Sequence, residues 1–261
     1  MYDLAELETA LAGTLFSGHL HFLPVTGSTN TDALAAARAG APHGSVFFAD
    51  EQTSGRGRGD HGWESAAGEG LYVSVLFRLA VPASRVGLLP LAAGLAAAQA
   101  IAAVSGLTAD LRWPNDLLIG SRKTGGILVE SRIEKQELAY AVVGIGINVH
   151  QRAFAADLAT PATSLDIASA RPLPRQRLLI ALLESLEREA GAVARADEAA
   201  KIPERIEGAS TWVRGRRVEV HGPQACAGVT AGLDENGFLR VETAGGITVV
   251  RTGGIREGAK G

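Results

Sequence analysis

In the stretch "EQTSGRGRGDHGWES", residues 51–65, Arg56 and Arg58 stand on alternate positions among closely spaced glycines. Two guanidinium forks on so pliable a backbone suit the wrapping of a phosphate or carboxylate. Each fork offers paired donors, and glycine lets the main chain approach a ligand closely. Trp63 can pack over such a ligand; a solvated surface loop is the plain alternative. Four further clusters are similarly two-sided. "RWPND" carries Arg112 and then, after Pro114, Asn115 and Asp116. Together this amide and carboxylate suit a ribose hydroxyl, an amine or magnesium, or form an Asx turn. "RKTGG" sets Lys123, a point charge for an anionic oxygen, beside two glycines, unless it is a solvated hairpin lysine. In "GIGINV" two glycines leave room for a ligand, and Asn148 is a polar residue in an apolar run or a satisfied strand end. "GSTN" supplies Ser28, Thr29 and Asn30 at a helix start, or simply a cap.

Other chemistries lack their motifs. Gly57, Gly59 and Gly62 match the dinucleotide fingerprint by letter, but that fingerprint must open a helix, and here the strand-like "LYVSVLF" follows. "SRKTGG" has its lysine before the glycines, the reverse of a phosphate-binding loop of the Walker type. The sequence has no His-Glu-x-x-His, Cys-x-x-Cys or Gly-x-Ser-x-Gly, so metal hydrolysis and serine nucleophile chemistry have no anchor. A net charge of −3 gives no global field for nucleic acid, so anion binding has to come from local placement.

The elements that must position these residues follow from periodicity. Over 261 residues, 46% hydrophobic content is ample for a core. Leu4, Leu7, Leu11 and Leu15 predict a helix over 3–16. "LHFLPV" reads as a strand, and Ser28 or Thr29 can cap a helix that stops at Gly40. "SVFFAD" enters the arginine stretch as a strand, and "LYVSVLFRL" leaves it as another. An alanine-rich helix over about 83–104 follows; its run "VGLLPLAAGLAAAQAIAAV" approaches membrane-spanning length but, with Pro90 and its glycines, reads better as a core helix. "LRWPND" predicts a strand ended by proline. "LLIGSRKTGGILVES" predicts a hairpin with "GSRKTGG" at its turn, and "ELAYAVVGIGINV" a further strand. Residues 174–197 predict a long amphipathic helix. Beyond "EGASTW" the short strands "RRVEV", "GVTAGLD", "GFLRVET" and "ITVV", with "DENG" between two of them, predict a small all-β barrel at about 212–261. The lone Cys226 cannot form an internal disulfide, and "MYDLAELETALAG" lacks the form of a secretory signal. Both fit a cytoplasmic protein, without a membrane partner.

Taken together and in order, "GSTN", "EQTSGRGR…W", "RWPNDLL", "RKTGGILVE" and "GIGINV" resemble the biotin protein ligases over roughly residues 20–150, and the terminal β module resembles that family's SH3-like domain. The resemblance implies an α/β (α+β) fold: a mixed sheet with helices like that of class II aminoacyl-tRNA synthetases. It divides the chain into a ligase domain at 1–210 and a β domain at 211–261. It implies an ATP-dependent reaction that forms biotinyl-5′-AMP, with magnesium at the ATP phosphates, and then modifies one lysine of a biotin carboxyl carrier domain of acetyl-CoA carboxylase or a similar carboxylase. It puts biotin against Ser28, Thr29, Asn30, Gln52, Gly55, Arg56 and Lys123, and the nucleotide near Arg58, Trp63, Arg112, Asn115, Asp116 and Asn148. Arg56, Arg58 and Lys123 take the catalytic roles, with the glycine stretch closing as a lid.

Two positions depart from the family's frequent pattern. His61 stands where an arginine is common, with Asp60 beside it, which would make the loop's grip pH-dependent near the ordinary histidine pKa of about 6.5. Arg112 stands where many members carry lysine. Only 26 residues precede "GSTN", too few for the helix-turn-helix of members that also repress transcription, so no DNA partner is expected. Exposed sheet edges leave room for a homodimer. A lipoate or octanoate ligase or transferase is the nearest alternative, but its Arg-Arg…Gly-Gly-Gly…His-Asp segment is not found.

Overall fold

A computed structural model of the protein describes residues 2–59 and 61–258; Asp60 lies outside the described residues. Helix α1 (Leu4–Ala10) leads into strand β1 (Leu20–Thr26), helix α2 (Thr29–Arg38) and strands β2 (Val46–Gln52) and β3 (Gly70–Phe77). A 3-10 turn at Ala83–Leu88 starts helix α3 (Leu89–Ser105). Strands β4 (Asp110–Arg112), β5 (Asp116–Ile119), β6 (Arg122–Glu134) and β7 (Glu137–Asn148) follow. They form one seven-stranded mixed sheet in the order β1-β2-β3-β7-β6-β5-β4, with β1 parallel to β2 and every other pair antiparallel.

Helices cover both faces of this sheet. The alanines of α2 are small enough to lie close on one face, where Ala33 and Ala37 pack with Phe47, Leu76, Tyr140 and Val142. On the other face α3 packs against α5 (Arg175–Ala194), and the main core runs between them and the sheet. Covered on both sides, β3 is buried at every position. The helical run Ala83–Ser105 is long and apolar enough to cross a membrane by composition and length; its residues fill the core instead. Short helices α4 (Leu165–Ser169), α6 (Ala196–Ala199) and α7 (Ile202–Gly208) flank α5 and lead to the terminal strands.

Strands β8 (Arg214–His221), β9 (Cys226–Leu233), β10 (Leu239–Thr243), β11 (Gly246–Val250) and β12 (Gly254–Glu257) form a second, antiparallel sheet in the order β11-β10-β9-β8-β12. Its inward side chains, among them Val218, Val220, Leu239 and Val241, are continuous with the main core. Trp113 Nε1 donates to Gly237 O (3.0 Å) across the junction of the two sheets.

Several boundaries differ from the sequence reading. Helix α1 stops at Ala10 although the leucine spacing runs on to Leu15, because the chain turns and Gly13 takes a left-handed φ of +79°. The 3-10 turn occupies the first six residues of the expected 83–104 helix. The β5–β6 turn is only Gly120 and Ser121: Ile119 already pairs with Arg122, so Lys123 sits in a strand rather than at a turn. Strand β12, within a tail assigned no strand of its own, pairs with β8.

Candidate active site

The stretch between β2 and β3 folds as a hairpin. Gln52 N donates to Ser65 O (3.1 Å), Trp63 N to Gly55 O (2.8 Å) and Gly57 N to His61 O (2.7 Å), so the two arms are laced along their length. Gly59, at φ +61°, lies in the bend, where a side chain would be strained. The pliable stretch read from composition is thus a hydrogen-bonded hairpin arm. Gly55 backs this lacing: a Cβ there would meet Trp63 O and the Ser65 hydroxyl.

Under the hairpin lies a cavity of about 860 Å³, within the usual range for small-molecule sites. It brings together Ser28, Thr29, Asn30, Gln52, Arg56, Arg58, Trp63, Arg112, Asn115, Asp116, Lys123 and Asn148, which between them come from all five sequence clusters. Gly55 alone of the expected site residues does not line it. His61 reaches the wall as an exposed residue.

One half of the cavity is neutral and polar. Ser28 precedes α2, but its hydroxyl makes no capping bond; the simple cap reading fails, and the side chain lines the cavity. Gln52 Oε1 accepts from Thr29 N (2.9 Å), and Gln52 Nε2 donates to Ser65 Oγ (2.8 Å). Thr29 Oγ1 lies 2.8 Å from Ser74 Oγ, which donates to Asn30 Oδ1 (2.8 Å). The glycines of "GIGINV" explain themselves here. A Cβ on Gly144 would strike the Asn30 amide, and one on Gly146 would lie 2.6 Å from Trp63 Nε1. Gly146 pairs directly with Gly126 across β6–β7, and the Trp63 indole rests on this side-chain-free floor with its Nε1 unpartnered.

The other half is cationic. Asp116 is held by Lys123 Nζ (2.6 Å) and by Arg112 Nη2 (2.6 Å). Burial alone would push this carboxyl up, yet Lys123 and Arg112 outweigh it and hold Asp116 below the ordinary carboxylate range. Asp116 is therefore an anion at neutral pH that fixes two cations. Lys123 also sits 5.5 Å from the Trp63 ring centroid, and its backbone is clamped by segment 161–163: Lys123 N donates to Pro161 O (2.8 Å) and Thr163 N to Lys123 O (2.9 Å). Arg112 stacks over Trp212, at the start of the terminal sheet, at 5.3 Å. Arg58 reaches further across and donates to Gly253 O (2.7 Å); burial lowers its pKa while Asp116 raises it. Arg56 makes a bidentate pair with Glu130 (2.8 and 2.9 Å).

The asparagines tie backbone as well as facing the cavity. Asn115 Nδ2 donates to Ile127 O (2.8 Å) and Asn148 Nδ2 to Thr163 O (3.1 Å). Sequence reasoning missed Ser74 and the terminal-sheet loops 221–223 and 252–256, which complete the cavity wall, and Ser65 and Glu130, which bind the lining side chains Gln52, Asn30 and Arg56 from behind. A hydroxyl inside the wholly apolar "LYVSVLF" was the available signal for Ser74; nothing in the local sequence points to the loops.

The chain is similar to known proteins in sequence and in fold. Residues 22–148 match the model of the biotin/lipoate A/B protein ligase family. The bifunctional ligase/repressor BirA of Bacillus spizizenii is 36% identical over 186 residues, covering 70% of this chain and 57% of that protein, so the chain matches little more than half of that relative. The biotin–(acetyl-CoA-carboxylase) ligase of Mycobacterium tuberculosis is 37% identical over 243 residues, covering 88% of this chain and 85% of that one. The solved structure of the biotin protein ligase from Aquifex aeolicus in complex with biotin and ATP superposes with a TM-score of 0.77 at 28% identity, covering 92% of this chain and 98% of that one.

Proposed function

The chain belongs to the biotin/lipoate A/B protein ligase family, and from that premise we propose that it is an ATP-dependent biotin protein ligase. The observation that carries the reading is one cavity that joins a hydroxyl- and amide-lined part, with Arg56 tied to Asn30 through Glu130, to a cationic part where Arg112 and Lys123 hold Asp116 and Arg58 lies nearby. An uncharged ring bearing a carboxylate suits the first, and a nucleotide the second.

In this reading the biotin carboxylate attacks the α-phosphorus of ATP, pyrophosphate leaves, and biotinyl-5′-AMP forms. The amine of one carrier lysine then attacks the acyl carbon and AMP leaves. The partner in this reading is a biotin carboxyl carrier domain. Two anions meet in the first step, so Lys123, Arg56 and Arg58 act by offsetting their repulsion and the charge that grows on phosphorus. Ser28, Thr29, Asn30 and Gln52 hold the vitamin's ring, while Trp63, Arg112, Asn115, Asp116 and Asn148 frame the nucleotide. Neither step needs a covalent enzyme intermediate. Alignment is the main contribution, worth up to roughly 7–11 kcal/mol in well-aligned systems. The hairpin shields the mixed anhydride from water.

Magnesium belongs to the proposal as a companion of ATP. Among the described residues no group of three or more His, Cys, Asp or Glu is placed to hold an ion, and Asp116 is already engaged by two cations. The residues present do not fit a resident metal. The same reading divides the chain at 210/211 into a ligase domain and a terminal β domain, a division supported by the separate hydrogen-bonding of the second sheet.

Biotin-dependent exchange of pyrophosphate into ATP, compared with lipoate and octanoate, tests the proposal when followed by transfer to a carrier domain. Exchange with biotin alone is expected. Exchange confined to lipoate or octanoate would favour the related lipoyl activity, and binding of biotin without ATP turnover would overturn both.

A further inference from the structure

Glu130 sits in the second half of β6, on the same strand as Lys123, and three donors converge on it. Arg56 Nη1 and Asn30 Nδ2 both donate to Oε2 (2.8 Å each), and Arg56 Nη2 donates to Oε1 (2.9 Å). Behind Asn30 the donors line up in one direction. An amide can accept only through its oxygen, so Ser74 donates to Asn30 Oδ1; the single hydroxyl proton of Thr29 then faces two acceptors, Ser74 Oγ at 2.8 Å and Gln52 Oε1 at 3.1 Å, and the shorter contact continues the line. The chain Thr29→Ser74→Asn30 therefore ends at a carboxylate, an acceptor-only group, and each bond polarises the next. Its other end joins Gln52, Ser65 and the carbonyl of Trp63. One hydrogen-bonded path thus leaves one arm of the hairpin, crosses the polar half of the cavity and returns to the other arm at Arg56.

We propose that Glu130 is a positioning residue that couples the polar pocket to the hairpin. It docks Arg56 across the cavity mouth before any ligand arrives and fixes the hydroxyl and amide of Thr29 and Asn30. Its consequence for catalysis rests on the ligase reading; its consequence for the hairpin does not. Glu130→Gln keeps the shape but replaces one acceptor oxygen by a donor, which then opposes a donor from Arg56 or Asn30.

The test uses the full chain with Glu130→Gln, Arg56→Ala and the double variant. In the ligand-free proteins, tryptic cleavage after Arg58 should rise about tenfold in Glu130→Gln, the size expected when a charge-assisted pair is lost. Arg56→Ala should match it, and the double variant should add nothing further. Arg56 is partly exposed, so that variant keeps the comparison valid should Glu130→Gln prove unstable. In turnover, Glu130→Gln should raise KM for biotin and the release of free biotinyl-5′-AMP, with Glu130→Asp restoring part of both. Unchanged cleavage in the two single variants, or additive effects in the double, overturns the proposal. Loss of biotin-dependent exchange in the unmodified protein overturns the ligase reading and leaves the cleavage result standing.

Discussion

Lys123 carries the most concentrated charge in the cavity, and its surroundings fix how it responds to change. Lys123→Ala should lower adenylate formation by about 100-fold or more, read as biotin-dependent pyrophosphate exchange, because it removes a positive group aimed at developing negative charge. The fold should survive, since Arg112 still binds Asp116 and the backbone of Lys123 is clamped independently of its side chain. Asp116 gives the complementary pH prediction. Its folded pKa is depressed, so its stabilisation is present above the ordinary carboxylate value of about 3.9 and disappears as pH falls through the lower folded value. Asp116→Asn should therefore cost about 1–3 kcal/mol near neutrality, with the difference shrinking in strong acid. A gap between the two denaturation curves that does not vary with pH would falsify this assignment. At this scale the sequence was informative about Lys123, one of only four lysines among 25 basic residues. It could not show that Asp116 binds two cations, because that depends on β4, β5 and β6 meeting in register.

Among the elements, the strands of the sheet were legible from their β-branched runs and the helices from their spacing, whereas the turns were not. "GSRKTGG" has the composition of a turn, yet five of its residues lie in β6 because segment 161–163 and β5 pair with that strand from either side. The hairpin over 52–65 was hidden in the same way: glycine content suggested mobility, while the ladder that orders it is made of backbone groups no composition reveals. The Gly126–Gly146 pair shows why glycine is used within strands here. Gly146→Ala puts a methyl where the indole lies, so Trp63 must lift off the floor. We expect tryptophan emission of the free protein to shift to the red and kcat/KM for biotin to fall by up to about 10²-fold through misplacement of the hairpin. The emission shift should vanish in a Trp63→Phe background; persistence there would locate its source at Trp113 or Trp212.

For the whole molecule, the division into an α/β layer and a later β module was readable from the change of texture near residue 210. That the module's loops form part of the cavity was not. Arg58 binds Gly253 O and Arg112 stacks on Trp212, contacts that join positions far apart in the sequence and depend on how the two sheets seat. The same long-range assembly leaves three of the four named cations of the cavity on carboxylates of the protein, with Arg58 on a carbonyl. Arg56 has Glu130, and Lys123 and Arg112 share Asp116. An arriving anion thus takes guanidinium and ammonium contacts over from carboxylates of the protein itself, and few dissolved ions are set free in the exchange. Association rates measured across a range of ionic strength should accordingly show a shallow slope, whereas a steep one would mean these pairs open in solution. Such a site trades long-range attraction for indifference to the salt around it.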